Sequence, residues 1–571
     1  MDPVTCRRWL ERADVDVDRV REILGRHCLR PLTARVLLAR GLDGDEIDSF
    51  LQARLTDMPD PISMAGMAPA VERLAAAIRE GEQITIHGDY DVDGITATAL
   101  MVDVLRFCGG KVDCHIPLRM RDGYGLSADA LRKSAAAGTR VVVSVDCGIT
   151  AHEEAELARQ LGLDLIITDH HQVPEQLPEA FALVNPHRSD CPFPDKNLCG
   201  VGVAFMALVA LRRVLREQGW FFGRPEPDLR RWLDLVALGS VADMVPLVGL
   251  NRPFVRHGLE LMERSPRVGI RALKEVAGVR EVTTGAVGFR LAPRLNAAGR
   301  IEDAAAGVSL LLCDDYRQAL PLARQLDEWN RQRQEIERET FEQASALVDK
   351  LPEAHTLVLA NEGWHQGVIG IVASRLVERY GRPTLMIALD GATGKGSGRS
   401  VRGFHLYEGL KKCARNLLGF GGHEFAAGFS LASDRVDALR ASFEQAAREA
   451  LCLEDLVPER QYDGVAELSE FDDTQVRELE GLAPFGMGNP EPVFLAESVA
   501  LSRVERVGDG RHLRCQVRQD GASLAAIGFN MADRLDVANG PVDILFTPGY
   551  NRWNGRETLQ LRLKDIRPAA G

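Results

Sequence analysis

The sequence lacks the marks of a secreted or membrane-bound protein. Its eleven cysteines are scattered, without a C-x-x-C pair or a disulfide-like spacing, which favours a reducing compartment. No run of about 18 apolar residues is present, so no transmembrane helix is predicted. The opening stretch MDPVTCRRWLERADVDVDRV is charged and has no apolar core, so we expect no signal peptide and a cytoplasmic location.

An excess of positive charge is also missing. The formal net charge is −13 at pH 7, which argues against a protein that binds nucleic acid through bulk charge. A local basic groove or bound cations can still attract phosphates to an acidic protein. Net charge therefore leaves the partner open.

Internal repeats and low-complexity segments are absent too, and a chain of 571 residues is too long for a single hydrophobic core. Short helices are expected first, and strands then alternate with helices, which predicts an α/β fold with a parallel sheet. A mostly helical stretch, a second α/β domain and a small β-barrel follow. We expect domains at residues 1–65, 66–255, 256–352, 353–455 and 456–571.

Polar residues cluster where the predicted parallel strands end. The segment TIHGDYDVDG (85–94) follows one strand, and VDCG and TDHH end the next two. Ligands bind at the carboxyl ends of the strands in such sheets. If the first segment is extended, alternate side chains from His87 to Asp93 face one way. Their carboxylates then repel each other unless a positive charge lies among them.

Each of these residues also has an ordinary explanation. Aspartates bond their own backbone in turns and cap helices, and a histidine pair can form a polar turn. Together, however, carboxylates and imidazole suit Mn²⁺ and similar ions, and no thiolate is placed among them for structural zinc. Two ions that share one carboxylate can clamp a phosphate and activate water. The combination therefore favours a two-metal hydrolase.

The motifs, in this order, are similar to those of a known superfamily. GDYDVDG, VDCG, TDHH and ALGSVADMVPL resemble the successive motifs of the DHH phosphoesterases. Further segments resemble landmarks of the bacterial RecJ family within it: IPLRMRDGYGLS, LAPRLNAAGRIEDA, GKGSGRSVRGFHL, GGHEFAAGF and LAPFGMGNPEPVF. One departure is Leu118, where the family usually has Asn. The resemblance implies a parallel-sheet DHH catalytic domain, a helical connector, a DHH-associated α/β domain and an OB-like barrel.

The resemblance also implies metal and catalytic residues. The implied metal ligands are His87, Asp89, Asp91, Asp93, Asp146, His170 and Asp243. Asp146 would be shared by both ions and would count as catalytic. Either His87 or Asp89 would be the ligand of the first ion, because DHH relatives differ over which of these two positions holds it. His171 is expected to contact the scissile phosphate or assist the leaving group. Asp169 is expected to orient a histidine.

Substrate contacts follow from the same resemblance. GKGSGRS looks like a P-loop, but Gly396 stands where that pattern needs Ser or Thr, which disfavours nucleotide-triphosphate hydrolysis. A flexible turn is the ordinary alternative, and the resemblance implies 5′-phosphate recognition by Ser397 and Arg399. Tyr550 and Trp553 could stack on bases or simply pack. The remaining implied substrate contacts are Arg119, Tyr124, Arg294, Asn296, Arg300 and His423.

The function implied by the resemblance is removal of nucleotides from the 5′ end of single-stranded DNA with two Mn²⁺ or Mg²⁺ ions, in recombination and repair. Single-stranded DNA, a single-strand DNA-binding protein and a helicase are the implied partners of a monomeric chain. Two alternatives stay open: a DHH phosphodiesterase for short RNA or cyclic dinucleotides, and a non-catalytic single-strand DNA-binding scaffold. The full set of Asp and His argues against the scaffold.

Overall fold

The computed structural model describes residues 7–117, 125–350, 354–534, 540–553 and 555–569. The chain divides into two compact units. The larger unit contains residues 10–295, 304–323 and 461–571, and the smaller unit contains residues 1–9, 296–303 and 324–460. None of the described helices combines the length and the apolar character needed to cross a membrane.

The chain begins with a short strand and three short helices. Asp16 caps the first helix by accepting a hydrogen bond from the backbone N–H of Asp18, and Pro31 starts the second, as expected from its fixed φ. The elements are β1 (Arg8–Glu11), α1 (Val17–Arg26), α2 (Pro31–Ala39) and α3 (Asp45–Gln52).

A five-stranded parallel sheet follows, as the alternation of strands and helices predicted. Its order is β3-β2-β4-β5-β6. The sequence analysis missed β3, because its residues alternate between polar and apolar and only Val112 is buried. The elements are α4 (Met67–Glu80), β2 (Gln83–Gly88), α5 (Val92–Phe107), β3 (Lys111–His115), α6 (Ala128–Ala136), β4 (Thr139–Val145), α7 (His152–Gln160), β5 (Asp164–Thr168), β6 (Ala182–Val184), α8 (Gly200–Glu217) and α9 (Leu233–Ala242).

The strand order reverses beside β2. From β2 the chain moves to β3 on one side and then returns to β4 on the other side. A crevice forms at the carboxyl ends of strands where the order reverses in this way, and such crevices bind ligands. The acidic segments after β2 and β4 lie at this point.

The next stretch is mostly helical. A long helix, α15, covers the charged segment from Tyr316 to Val348, and Pro321 lies near its start. The elements are α10 (Asn251–Arg264), α11 (Val268–Ala277), α12 (Thr284–Ala286), a π-helical turn (Val287–Leu291), α13 (Ala292–Ile301), α14 (Ala305–Leu312) and α15 (Tyr316–Val348).

A mixed five-stranded sheet forms the centre of the smaller unit. Its order is β10-β11-β9-β8-β7, and only β7 and β8 are parallel. Helix α16 covers one face, and α17 and α18 cover the other. The elements are β7 (Leu357–Asn361), α16 (Ile369–Tyr380), β8 (Thr384–Asp390), β9 (Thr393–Arg399), α17 (Leu406–Lys412), β10 (Gly419–Gly422), β11 (Ala426–Ala432) and α18 (Val436–Arg448).

The C-terminal strands close into a barrel. Strand β14 pairs with both β15 and β17, which closes the five-stranded ring β14-β15-β16-β18-β17. The predicted fold class, with two α/β domains, a helical stretch and a barrel, is confirmed. The elements are β12 (Glu459–Tyr462), β13 (Gly464–Val465), α19 (Asp473–Glu480), β14 (Phe494–Val507), β15 (His512–Gln519), β16 (Ala522–Gly528), β17 (Pro541–Trp553) and β18 (Arg556–Pro568).

The two ends of the chain share one hydrophobic core. Ile23 and Leu37 of the first helices belong to the same buried cluster as Phe494 and Phe546 of the barrel. The amide of Gln475 donates to the buried Thr33 hydroxyl at 3.0 Å. The barrel is therefore not an independent module that could be removed without exposing the first helices.

Helix α10 packs against α9 through a glycine, and this contact generates a stability prediction. A Cβ added at Gly258 would lie 2.2 Å from the carbonyl oxygen of Leu233 and 2.4 Å from the Ala237 Cβ. We expect Gly258→Ala to lower the free energy of unfolding by about 1–3 kcal/mol, because overpacking forces the helices apart. The measurement is the unfolding midpoint of the full chain in urea.

Gly25→Ala is the matched control, because Gly25 is exposed in α1 and has no atom within 4 Å of the added Cβ. It should be neutral or slightly stabilising, since alanine favours helix more than glycine does. Equal midpoints for the two variants would contradict the packing argument.

Candidate active site

The loop after β2 brings three carboxylates to the start of α5. Asp91 is the N-cap of that helix and accepts a hydrogen bond from the Gly94 N–H at 3.1 Å. The predicted extended alternation is wrong for Asp93, which lies in the first helical turn because the helix begins at Val92. The loop still folds onto the helix, since a Cβ at Gly94 would lie 2.5 Å from the Asp89 carbonyl oxygen.

Asp146 follows β4 in a strained conformation. Its φ is 62°, in the left-handed region that Asp tolerates better than most residues but at some cost. Its N–H donates to the Thr168 carbonyl at 3.0 Å, which joins the ends of β4 and β5. The residue is 1% exposed. A strained, buried carboxylate is typical of a functional position.

Asp169 fixes the histidine pair that follows β5. One oxygen of its carboxylate accepts from the backbone N–H groups of His170 and His171, at 2.7 and 3.1 Å, and lies 2.7 Å from His171 Nδ1. The other oxygen accepts from the Ile149 N–H at 2.9 Å. Asp169 itself is fully buried. These bonds fix the orientation of the His171 ring through Nδ1.

Asp243 follows a helix, unlike the candidate ligands that come after β2, β4 and β5. It is the C-cap of α9. The helix is buried on all sides from Leu233 to Ser240, so its sequence shows no helical period by which it could have been told from a strand.

The carboxylates converge on His170. Its Nε2 lies 3.1 Å from an oxygen of Asp146, 3.7 Å from one of Asp93 and 3.8 Å from one of Asp243. Potential ligand atoms lie within 4.8 Å of one another in three sets: Asp89, Asp91 and Asp146; Asp93, His170 and Asp243; and Asp146, His170 and His171. Asp146 belongs to two of these sets. The arrangement suits two neighbouring divalent ions.

Helix α8 supports Asp93, and the sequence analysis missed this. The N–H groups of Gly200 and Val201 donate to its two carboxylate oxygens at 2.6 and 2.8 Å, and the helix dipole favours a negative charge there. A Cβ at Gly200 would lie 2.5 Å from the Asp146 Cβ, and one at Gly239 would lie 3.0 Å from an oxygen of Asp93. The Gly-rich segment CGVGVAF was the available signal.

The pKa shifts reflect how strongly the cluster is buried and crowded with negative charge. Burial, followed by the charges of Asp93 and Asp91, raises the pKa of Asp146 well above its usual range and that of Asp243 to about 9. Burial and the Asp91 charge raise the pKa of Asp93 to about 6. Burial lowers the pKa of His170 to about 3, so the ring has the neutral form that binds metals. A neutral imidazole and a carboxylate 3.1 Å apart suit a shared positive ion.

His171 and His87 differ from His170 in their surroundings. Burial lowers the pKa of His171, but its bond to Asp169 outweighs this and the pKa rises to about 9. Burial lowers the pKa of His87 to about 3, and its buried Nε2 has no hydrogen-bond partner among the described residues. His87 is nevertheless in none of the three sets of close ligand atoms, whereas Asp89 is. The geometry favours Asp89 for the contested ligand role.

Known proteins share this sequence over nearly its whole length. The single-stranded-DNA-specific exonuclease RecJ of Escherichia coli (strain K12) is 39% identical over 561 residues, which cover 95% of this chain and 96% of that protein. The protein of the same name from Bacillus subtilis (strain 168) is 38% identical over 567 residues, covering 98% of this chain and 70% of that protein. This chain belongs to the RecJ family.

Family domains and solved structures agree with the RecJ assignment. Residues 83–240 match the DHH family N-terminal domain, residues 347–449 the DHHA1 domain and residues 462–565 the RecJ OB domain. The crystal structure of Thermus thermophilus RecJ in complex with Mn²⁺ has a TM-score of 0.85 and 32% identity, and it covers 100% of this chain and 81% of that chain. A second structure of that RecJ contains Mg²⁺, with a TM-score of 0.79 and 31% identity, covering 100% of this chain and 80% of that chain. The acidic cluster of this RecJ-family chain is compatible with such ions.

The smaller unit of this RecJ-family chain places Ser397 and Arg399 beside a helix start. Both lie on β9, on the face that α16 covers, and a Cβ at Gly370 in the first turn of α16 would lie 2.9 Å from Ser397 Oγ and 3.2 Å from Arg399 Nη2. Arg399 Nη1 donates to Ser397 Oγ at 3.2 Å. A guanidinium, a hydroxyl and a helix N-terminus together suit a phosphate.

Some of the other predicted substrate contacts lie near the candidate phosphate site formed by Ser397 and Arg399, and others lie in different parts of the chain. Arg300 donates to the Gly367 carbonyl at 2.9 Å, which holds the loop before α16. His423 is exposed in the turn between β10 and β11, and β11 starts opposite Arg399. Arg294 and Asn296 are partly buried on α13. Arg119 and Tyr124 lie outside the described residues.

Of the two barrel aromatics proposed to stack on bases, Tyr550 makes contacts within the protein. The Tyr550 hydroxyl donates to an Asp473 carboxylate oxygen at 2.6 Å, and Arg477 lies 4.7 Å from the centre of its ring. Tyr550 therefore joins the barrel to α19. The side chain of Trp553 lies outside the described part of the chain.

Close contact between α8 and Asp146 predicts a metal-affinity change. In Gly200→Ala the added Cβ would displace the Asp146 carboxylate, from which it would be only 2.7 Å away. We expect Mn²⁺ binding to weaken by about 10- to 100-fold, the range for residues that position ligands. Isothermal titration calorimetry with Mn²⁺ measures this.

Gly202→Ala, in the same helix, is the control. Its Cβ would meet the flexible end of Leu198 at 3.2 Å, so Mn²⁺ affinity should stay within about twofold of wild type. Unchanged affinity in Gly200→Ala would show that α8 does not position the carboxylate.

Proposed function

We propose that this chain is a metal-dependent exonuclease that hydrolyses single-stranded DNA from its 5′ end, in recombination and DNA repair. The observation that carries the proposal is the convergence of Asp93, Asp146 and Asp243 on His170 Nε2, within 3.8 Å, in a member of the RecJ family. The relatives from E. coli and B. subtilis are named for single-stranded DNA. The reaction is phosphodiester hydrolysis.

Two sets of residues would hold two divalent ions. Asp89, Asp91 and Asp146 would hold one ion, and Asp93, Asp146, His170 and Asp243 the other. When bound, such ions supply charge neutralisation at the phosphate and a water of lowered pKa as the nucleophile. His87 is a second candidate ligand for the first ion, because its buried Nε2 has no hydrogen-bond partner among the described residues.

His171 and Asp169 would act on the phosphate rather than on the ions. Asp169 holds His171 through Nδ1 at 2.7 Å, so Nε2 points away from Asp169. His171 is also less buried than His170, with a side chain 37% exposed against 13%. From this position His171 can donate a hydrogen bond to a phosphate oxygen or give a proton to the leaving oxygen.

The end of the strand would be held by the smaller unit. Ser397, Arg399 and the first turn of α16 would bind the 5′-terminal phosphate, while Arg300 holds the preceding loop in place. Recognition of a 5′-terminal phosphate would set a 5′→3′ direction, because a phosphate inside the strand is a diester with a smaller charge. Arg119, Tyr124, Arg294, Asn296 and His423 would contact the strand.

We assign a role in the reaction to each of the expected domains. Residues 66–255 would cut, 353–455 would bind the end, and 456–571 would bind single-stranded DNA, with 1–65 and 256–352 as supporting helices. We further propose that the chain works as a monomer in the cytoplasm. A helicase that exposes the strand and a single-strand DNA-binding protein that covers it would be its partners.

End-labelled strands test the function directly. With Mn²⁺, the wild-type chain should release a 5′ label as a mononucleotide at once, while a 3′ label stays in strands that shorten gradually. Asp146→Asn should lower the rate of cleavage at least about 100-fold, because each of the two ion sites loses one carboxylate. This is more than the loss expected when a residue that only positions a ligand is replaced. The measurement is gel analysis of both labelled strands over time.

Asp113→Asn is the matched control, because Asp113 is an exposed carboxylate on the neighbouring β3. It should cut at the wild-type rate. Early release of the 3′ label, or full activity in Asp146→Asn, would refute the proposed exonuclease. Hydrolysis of cyclic dinucleotides in preference to DNA strands would support the phosphodiesterase alternative instead.

Arg399 provides a separate test of direction. Arg399→Lys keeps the positive charge but loses the planar pair of donors that suits a phosphate. We expect the preference for a 5′-phosphate over a 5′-hydroxyl strand, measured as the ratio of kcat/KM, to fall by about 10-fold or more. Arg415→Lys, at an exposed arginine after α17, should keep the wild-type ratio. An unchanged ratio in Arg399→Lys would remove Arg399 from the end-binding site.

A further inference from the structure

Three exposed apolar side chains belong to segments of the larger unit that lie at or near the end of α9. Met244 is 65% exposed, Phe289 is 85% exposed and Met487 is 54% exposed. They belong to the loop after α9, to the π-helical turn and to the segment before β14. Single exposed apolar residues are common, but a group of them marks an interaction surface. These three residues are referred to below as the apolar rim.

Contacts tie the three segments of the apolar rim together. The Leu247 N–H donates to the Met487 carbonyl at 2.7 Å, and the Thr284 hydroxyl donates to the Phe485 carbonyl at 2.6 Å. A Cβ at Gly288 would lie 3.8 Å from Val241 Cγ1, so the turn that carries Phe289 touches the end of α9.

The apolar rim therefore borders the candidate metal ligands. Helix α9 ends at Asp243, and Met244 is the next residue in the chain. The three rim segments thus meet at the end of α9, which carries Asp243.

The backbone that presents the apolar rim departs from regular structure at two places. Met244 has φ 61°, in a region that residues with side chains adopt at a cost. Phe289 lies in a π-helical turn, Val287–Leu291, a form that is rare and frequent at functional sites. Both departures occur at residues whose apolar side chains are exposed, Met244 directly after Asp243 and Phe289 in the turn that contacts Val241 of α9.

We propose that the apolar rim binds the bases of single-stranded DNA, with Phe289 stacking on a base near the scissile phosphate. This inference rests on the proposed function. The rim carries no charge of its own, so it suits the flat apolar faces of bases rather than phosphates. A strand whose phosphate lies at the acidic cluster would bring a neighbouring base toward the segments that contact the end of α9. In a duplex the base faces are covered by stacking, so the rim selects unpaired strands.

Binding to strands with and without bases tests the proposal. Fluorescence anisotropy would compare oligothymidylate with an abasic strand of equal length, in Mn²⁺, on the full chain carrying Asp146→Asn to prevent cleavage. Adding Phe289→Ala should weaken oligothymidylate binding by about 5- to 100-fold and leave abasic-strand binding unchanged. Phe289→Trp should restore binding, because it keeps an aromatic face.

Phe222→Ala is the control, since Phe222 is 96% exposed in the loop after α8 and should not affect either strand. Full oligothymidylate binding by Phe289→Ala, or an equal loss on the abasic strand, would overturn the proposal. Cleavage of end-labelled strands by the chain without Asp146→Asn is read separately. A base-dependent loss at Phe289 without cleavage in that assay would refute the exonuclease and leave the base-binding rim standing.

Discussion

Repulsion among the carboxylates around Asp146 is the constraint on which the larger unit depends. Several acidic groups are held in a buried space, where burial and the charges of neighbouring carboxylates raise the pKa values of Asp146 and Asp243. The surrounding backbone must fix such a cluster, and a bound cation would neutralise it. Much of the local structure serves the first need: Asp93 is held by two amides of α8, and Asp169 receives three backbone N–H groups.

In the function we propose, the two units would attract phosphate by opposite means. The larger unit offers acidic groups that suit a phosphate only through bound cations, whereas the smaller unit offers Arg399, Ser397 and a helix N-terminus directly. Their dependence on conditions should differ accordingly, because a chelator affects the first and salt screens the second. A net charge of −13 is compatible with a DNA-processing enzyme, because bound cations and a local arginine can attract phosphate to an acidic protein.

Much of the fold could be predicted from the sequence, because most parallel strands are continuous apolar runs and the segment of α15 is rich in charge and in strong helix formers. Strand β3 could not, since it lies at the sheet edge with exposed residues. The metal-site residues could be named from motif order, but the helix that Asp243 caps could not be recognised, because it is buried on all sides and its sequence shows no helical period. Contacts such as that between Gly200 and Asp93, which are 107 positions apart, depend on tertiary packing that no local pattern encodes.

The shared core of α1–α3 and the barrel has a consequence in time. The larger unit cannot complete its core until β18 has left the ribosome, long after α1–α3 have been synthesised. Contacts of such long range form late in folding. A chain that stops before the barrel would leave the apolar residues of α1–α3 uncovered. A truncation within the barrel should therefore destabilise helices that lie hundreds of residues away in the sequence.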